Sequence, residues 1–214
     1  MKALIYKDLF VLKQKGQLAT LILNLLMVIP IGFFFQNLYG LALIIILSYP
    51  IGGSVFIQVV MEKEERTNFD KTVISLPVTK AEIILAKYIT SFIYFGIHML
   101  FGLIYTFIHI YVIKSVSLEF GLLLWGIGLL IGTMMISINS VGYILLGAKK
   151  GTFVYMVILL LSIIGYVVTF LGFDIKQVLT LSSTVLMLIA CLITILCLIV
   201  SYFTSLKIFT RKYS

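Results

Sequence analysis

The sequence predicts an all-α polytopic membrane protein, with six transmembrane helices behind an N-terminal interfacial helix and one polar cytoplasmic segment between spans two and three. Three observations carry that reading. Of 214 residues, 62% are hydrophobic and 11% charged, and mean hydropathy is +1.20, whereas soluble domains are about half apolar and about a quarter charged. The apolar residues fall into six runs free of Asp, Glu, Lys and Arg, of about the 20 residues that cross a hydrocarbon core. Ten of the charged side chains gather in one stretch, residues 62–87.

The expected spans are residues 18–35, 41–61, 89–113, 121–146, 153–173 and 183–206. A charge at mid-helix costs about 2.5–3.5 kcal/mol on insertion scales, so six clean runs form a strong pattern. Residues 1–17 stand apart as a cytoplasmic amphipathic segment, and 18–214 form the transmembrane domain. In the first segment Leu4, Ile5, Leu9 and Leu12 can dip into the interface while lysines snorkel outward. The alternative is a frayed basic flank, because Lys7 and Lys13 do not share a face with Lys2 and Lys15. No cleavable signal is expected, since charge interrupts MKALIYKDLFVLKQKGQ throughout.

Orientation follows from the cations. Lys2, Lys7, Lys13, Lys15, Lys63, Arg66, Lys71, Lys80, Lys87, Lys149, Lys150, Lys207, Arg211 and Lys212 would lie on one side, and Lys114 and Lys176 on the other. Both termini and the 62–87 segment are therefore expected in the cytoplasm. The net charge of +8 sits in the flanks of spans, which argues for lipid rather than nucleic acid as its counterpart.

Within the spans, Pro30 and Pro50, each near glycine, should bend their helices, either as packing kinks or as part of a gate. His98, Tyr105 and His109 fall within about 40° on a helix. They form a stripe that either bonds helices together, lines a conduit or relays protons. No intramembrane carboxylate accompanies them to complete a relay. Gly128 and Gly132 make a GxxxG that allows close helix approach. Ser137, Asn139 and Ser140 either line a cavity or bond to nearby backbone. Residues 147–151 read as a basic turn, and 174–182 as a short helical turn on the outer side. Cys191 and Cys197, six apart, face different ways and do not suggest a disulfide or metal pair.

The polar segment has its own grammar. Thr67 or Asn68 can cap a short helix through Ser75, which Leu76-Pro77 ends. Thr79 and Glu82 form a capping box that starts a second helix running on into the third span. The first helix would put Phe69, Val73 and Leu76 on one face, with Asp70 and Lys71 at its rim and Glu62, Glu64, Glu65 and Arg66 beside it. Such a bar is either a docking element or a solvated connector.

Catalysis finds no support, for no GxSxG, HExxH, CxxC or intramembrane aspartate pair is present. Neither a metal site nor a catalytic residue is assigned. A GxxxxGK[ST] loop is also absent, so no nucleotide cofactor is expected in this chain.

The segment MEKEERTNFDKTVISLPVTKAEIILAKYI resembles the cytoplasmic signature of ABC type-2 permeases, in an acidic stretch followed by Ser75, Leu76, Pro77, Glu82, Ile83, Lys87 and Tyr88. The opening MKALIYKDLFVLK is similar to the amphipathic start of these subunits. The resemblance implies a bacterial cytoplasmic-membrane subunit that pairs with a second permease chain, identical or related. It also implies docking through the short helix onto a separate ABC ATPase, which would hold ATP and magnesium. The small size is similar to exporters of lantibiotics, bacitracin-like compounds and phenol-soluble modulins, so an amphipathic peptide is the implied substrate. The segment between spans five and six is shorter than the extracellular regions of larger family members. Two other readings remain open: an ion- or proton-coupled carrier using His98 and His109, and an immunity or sensor protein without transport.

Overall fold

The computed structural model describes residues 1–13, 15–26, 30–31, 34–73, 77–170 and 183–212. Among these every regular element is helical. We number them α1 (Lys2–Leu12), α2 (Lys15–Leu26), α3 (Leu38–Thr67), α4 (Phe69–Thr72), α5 (Lys80–Ile113), α6 and α7 within Leu118–Phe170, and α8 (Ser183–Lys212). The run Leu118–Phe170 breaks at Gly147, whose φ of 77° and ψ of 178° leave the helix, giving α6 (118–146) and α7 (148–170). A side chain is disfavoured at such a φ, so glycine makes the reversal at low cost.

Four stretches are long and apolar enough to cross a membrane: Leu38–Thr67, Lys80–Ile113, Leu118–Val168 and Thr184–Lys212. They cover the expected second to sixth spans, with the fourth and fifth joined at Gly147. The expected first span falls on α2, Pro30, Ile31, Phe34 and Phe35, its other residues lying outside the described ones. The 174–182 turn is outside them as well.

Side-chain contacts fix the helix directions. Along α7, Ala148 meets Glu65, Tyr155 meets Ile51 and Tyr166 meets Tyr39, so α7 runs antiparallel to α3. The Trp125 indole donates to the Met99 carbonyl at 2.9 Å, and Gly132 abuts Phe95, making α5 and α6 antiparallel. Tyr88 lies against Ser201 and Ser205, and the Lys80 ammonium reaches the Thr210 carbonyl at 3.5 Å. Accordingly α1, the loop after α3, the Gly147 turn and the end of α8 gather at one pole.

Small residues let the helices approach, as expected where lipid removes most of the hydrophobic drive between spans. A Cβ on Gly128 would overlap the Ile45 carbonyl of α3, and one on Gly132 the Phe95 ring of α5. The GxxxG face is thus used inside the chain. The central core joins Leu41, Ile44, Ile45 and Tyr49 of α3 to Phe95, Met99 and Tyr105 of α5 and Leu124 and Ile136 of α6.

α3 is not one regular helix. Leu43–Ser48 is a π-turn, Pro50 is buried just after it, and Val55 interrupts the helix again. Proline lacks the N–H an α-helix needs and crowds the preceding turn, and a π-turn is a way to absorb that. The irregularity expected at Pro50 is therefore present. Of Pro30, the side chain is exposed.

α1 is an ordered helix, and the face it turns into the protein carries Leu4, Asp8 and Val11, which are 6%, 1% and 6% exposed. There Asp8 pairs with the adjacent Lys7 ammonium at 2.7 Å.

Candidate functional site

At the pole where α1, α3 and α5 converge, one carboxylate holds two ammonium groups. Glu64 Oε2 lies 2.5 Å from Lys87 Nζ, and Glu64 Oε1 pairs with Lys7 Nζ, which is also 2.7 Å from Asp8. The side chains of Lys87 and Glu64 are only 4% and 9% exposed. Burial alone would depress the Lys7 ammonium, but Glu64 and Asp8 outweigh it and hold its pKa above the ordinary value. Removing one member of a buried pair typically costs about 3–5 kcal/mol, so this cluster firmly ties α1 and the root of α5 to the end of α3.

Phe69 lies under Lys7, whose Nζ is 4.3 Å from the ring centroid. It packs on a cluster of Leu4, Val73, Ile83, Ile84, Ala86, Tyr88, Ile144 and Phe209. Val73 is 3% exposed. Phe69 and Val73 were expected on the outward face of a docking bar, and Glu64 at its side. In the structure Glu64 and Val73 are buried and Phe69 is half-buried, on a face that Leu4 and Lys7 of α1 also meet. The expected bar over 67–75 is described only as the single turn Phe69–Thr72. Asn68, at φ 52°, both ends α3 and starts this turn, using the left-handed cap that Asn tolerates. Leu76 lies outside the described residues, as do the side chains of Asp70 and Lys71.

The remaining acidic residues divide. Glu62 accepts from the Gln58 amide at 2.8 Å. Glu65 accepts from the Ala148 N–H at 2.6 Å, capping α7 from 83 residues away. Arg66, Thr67 and Asn68 are exposed. The capping box forms as expected, with the Glu82 N–H donating to Thr79 Oγ1 at 3.2 Å and the Thr79 N–H to Glu82 Oε2 at 2.9 Å.

Inside the helical bundle, His98, Tyr105, His109, Ser137 and Asn139 are all buried, at 0%, 5%, 0%, 0% and 1% exposure. They do not share one partner set. His98 Nδ1 is 3.1 Å from the Tyr94 carbonyl, and His109 Nδ1 is 2.8 Å from Ser115 Oγ. The Ser137 hydroxyl donates to Thr133, while its carbonyl accepts from Ser201 at 2.6 Å. Tyr88 and Ser205 join that knot, which links α5, α6 and α8. The His98 and His109 Nε2 atoms, the Tyr105 hydroxyl and the Asn139 amide have no hydrogen-bond partner among the described residues. Between α3, α5 and α7, His98 lines a cleft of about 300 Å³ with Tyr49, Gly52 and Tyr155.

The sequence reading missed Lys7, Asp8 and Lys87 as site residues. Their signal was the presence of Lys87 and Asp8 beside otherwise apolar, helix-facing neighbours.

A multi-helix membrane bundle with an ion-paired polar pole fits one comparison. The family described as ABC-2 family transporter protein matches residues 3–210. The chain belongs to that family. No curated protein and no solved structure matches it. As a member of this family, it is a membrane permease of an ABC transporter.

Proposed function

We propose that this permease is the membrane subunit of an exporter that moves an amphipathic peptide out of a bacterial cell, driven by a separate ABC ATPase. It works as a pair of permease chains, with both termini and the 62–87 segment in the cytoplasm. ATP and magnesium belong to the ATPase, and this chain contributes no catalytic group.

The observation that carries the reading is the Glu64 cluster. Displacement of the short loop after α3 by an ATPase reaches α1 and α5 through buried ion pairs, and reaches α7 through Glu65. The exposed Arg66, Thr67 and Asn68 offer the contact surface, with Asp70 and Lys71 alongside in sequence. Phe69 and Val73 act as internal struts that make the loop stiff. Uncharged spans carrying Tyr, Ser, Thr and Asn suit an amphipathic cargo and cannot select strongly for a small ion.

Reconstitution of the full chain with the ABC ATPase that copurifies with it from the native membrane tests this directly. ATP-dependent accumulation of an amphipathic helical peptide in inverted vesicles is the expected result. Hydrolysis with no peptide movement, for every amphipathic peptide tried, would remove peptide export.

A further inference from the structure

The interior cleft carries a chemical preference that can be read from its hydrogen bonds. It lies where α3 is least regular, between the π-turn and Val55, and its walls include Ser48, Tyr49, Gly52, Val55, His98 and Tyr155. A backbone carbonyl can only accept. His98 Nδ1, 3.1 Å from the Tyr94 carbonyl, must therefore carry the proton, and in the neutral imidazole Nε2 is then an acceptor. That acceptor has no partner among the described residues, although His98 is 0% exposed. Gly52 borders it: a Cβ there would sit 3.3 Å from Nε2, close enough to crowd that atom. Tyr155 already spends its proton on the Ile51 carbonyl at 3.2 Å, leaving its oxygen able to accept as well.

The cleft thus presents acceptors in a mostly apolar wall, with no charged residue among those lining it. An unmet buried acceptor is costly, so a ligand that supplies a donor gains more here than an isosteric one that cannot. The geometry points to a binding site for a neutral O–H or N–H donor carried on an apolar chain, with His98 Nε2 as the accepting atom. This deepens the export reading and rests on it: the donor is a group of the amphipathic cargo.

The test is photolabelling of the full chain in lipid nanodiscs, without ATPase. The probes are a long-chain primary alcohol bearing a diazirine and the methyl ether of the same alcohol. The alcohol should label the peptides containing Tyr49, Val55 and Tyr155 about fivefold more than the ether does. His98→Phe should bring the alcohol down to the ether's level, while His98→Gln, which keeps an acceptor, restores the difference. Gly52→Ala, which keeps the imidazole but crowds its Nε2, should also reduce labelling by the alcohol. Competition by an amphipathic Leu/Ser peptide marks cargo as the source of the donor. Competition by dioleoylglycerol alone would overturn the cargo assignment. Equal labelling by alcohol and ether in the unmodified chain, or undiminished preference in both His98→Phe and Gly52→Ala, would overturn the site. Because no transport is needed, a negative result leaves the export reading standing, and a failed transport assay leaves the labelling result intact.

Discussion

Glu65 and Ala148 are separated by 83 residues, yet the Glu65 carboxylate accepts the Ala148 backbone N–H at 2.6 Å. The first N–H groups of a helix have no partner within it, and α7 obtains one from the end of α3. Glu65→Ala should cost about 1 kcal/mol, as loss of a helix cap does. Glu65→Gln, which keeps an acceptor oxygen, should lose much less. Thermal unfolding in detergent, followed by circular dichroism, separates the two.

Glu64→Ala should be among the most damaging changes at the polar pole. It strands the buried Lys87 ammonium, and we expect a loss of about 3–5 kcal/mol. The double variant Glu64→Ala/Lys87→Ala should lose less than the sum of the two single changes. Lys7→Ala should be milder, since its side chain is 30% exposed and Lys87 still pairs with Glu64. A thermal-unfolding double-mutant cycle gives the coupling.

The raised Lys7 pKa sets a pH window. A cation whose folded value exceeds its unfolded one stabilises fully below the unfolded value, here about 10.5, and loses that contribution as pH rises through the folded value. Hydrogen exchange of α1 should therefore be protected equally at neutral and mildly alkaline pH. Release of α1 well below pH 10 would contradict the ion-pair account.

Phe69→Ala should lower peptide-stimulated hydrolysis by the partner ATPase while insertion into the membrane is unchanged. The loop loses its strut, and the Lys7 cation loses the ring beneath it. Phe69→Leu should retain most of the coupling. By contrast, Arg66→Glu on the exposed surface should chiefly change the association rate and its salt dependence.

Gly128→Ala and Gly132→Ala should differ in whether they can be rescued. The first drives a methyl into the Ile45 carbonyl, which is backbone and cannot turn away; the second meets only the Phe95 ring. Each should cost about 1–3 kcal/mol, but Phe95→Leu should restore stability to Gly132→Ala alone. Unfolding midpoints of the four variants decide it.

The sequence made local features legible and left distant ones hidden. The Thr79–Glu82 capping box is written within four residues, and it forms. Apolar runs without charge mark α3, α5, α6, α7 and α8 because transfer free energy sums along the chain whatever the packing. The inward turn of Phe69 and Val73 was hidden, since their helical spacing defines a shared face but not what covers it. The covering element, α1, is some 60 residues upstream. Likewise nothing near Glu64 distinguishes it from Glu62, Glu65 or Arg66. Only convergence with Lys7 and Lys87 makes it the buried one. The interior stripe was recognisable as buried and polar, but its division into the His98 cleft and the Ser137–Ser201 knot depends on which neighbours α7 and α8 bring.

The π-turn at Leu43–Ser48 makes the length of α3 matter more than its composition. A π-turn holds one more residue than an α-turn, so deleting any single residue there would let the helix become regular while the side chains on its two sides keep their relative angle. Deleting two residues exceeds what the turn can give up, and every side chain on one side would swing by about 100° relative to the other. Gly52 would rotate off His98 and Gly53 off Phe95, while the span stayed apolar. Loss of one residue among Leu43, Ile44, Ile46 and Leu47 should therefore be absorbed far more easily than loss of two, which leaves the span hydrophobic and dismantles the interior register.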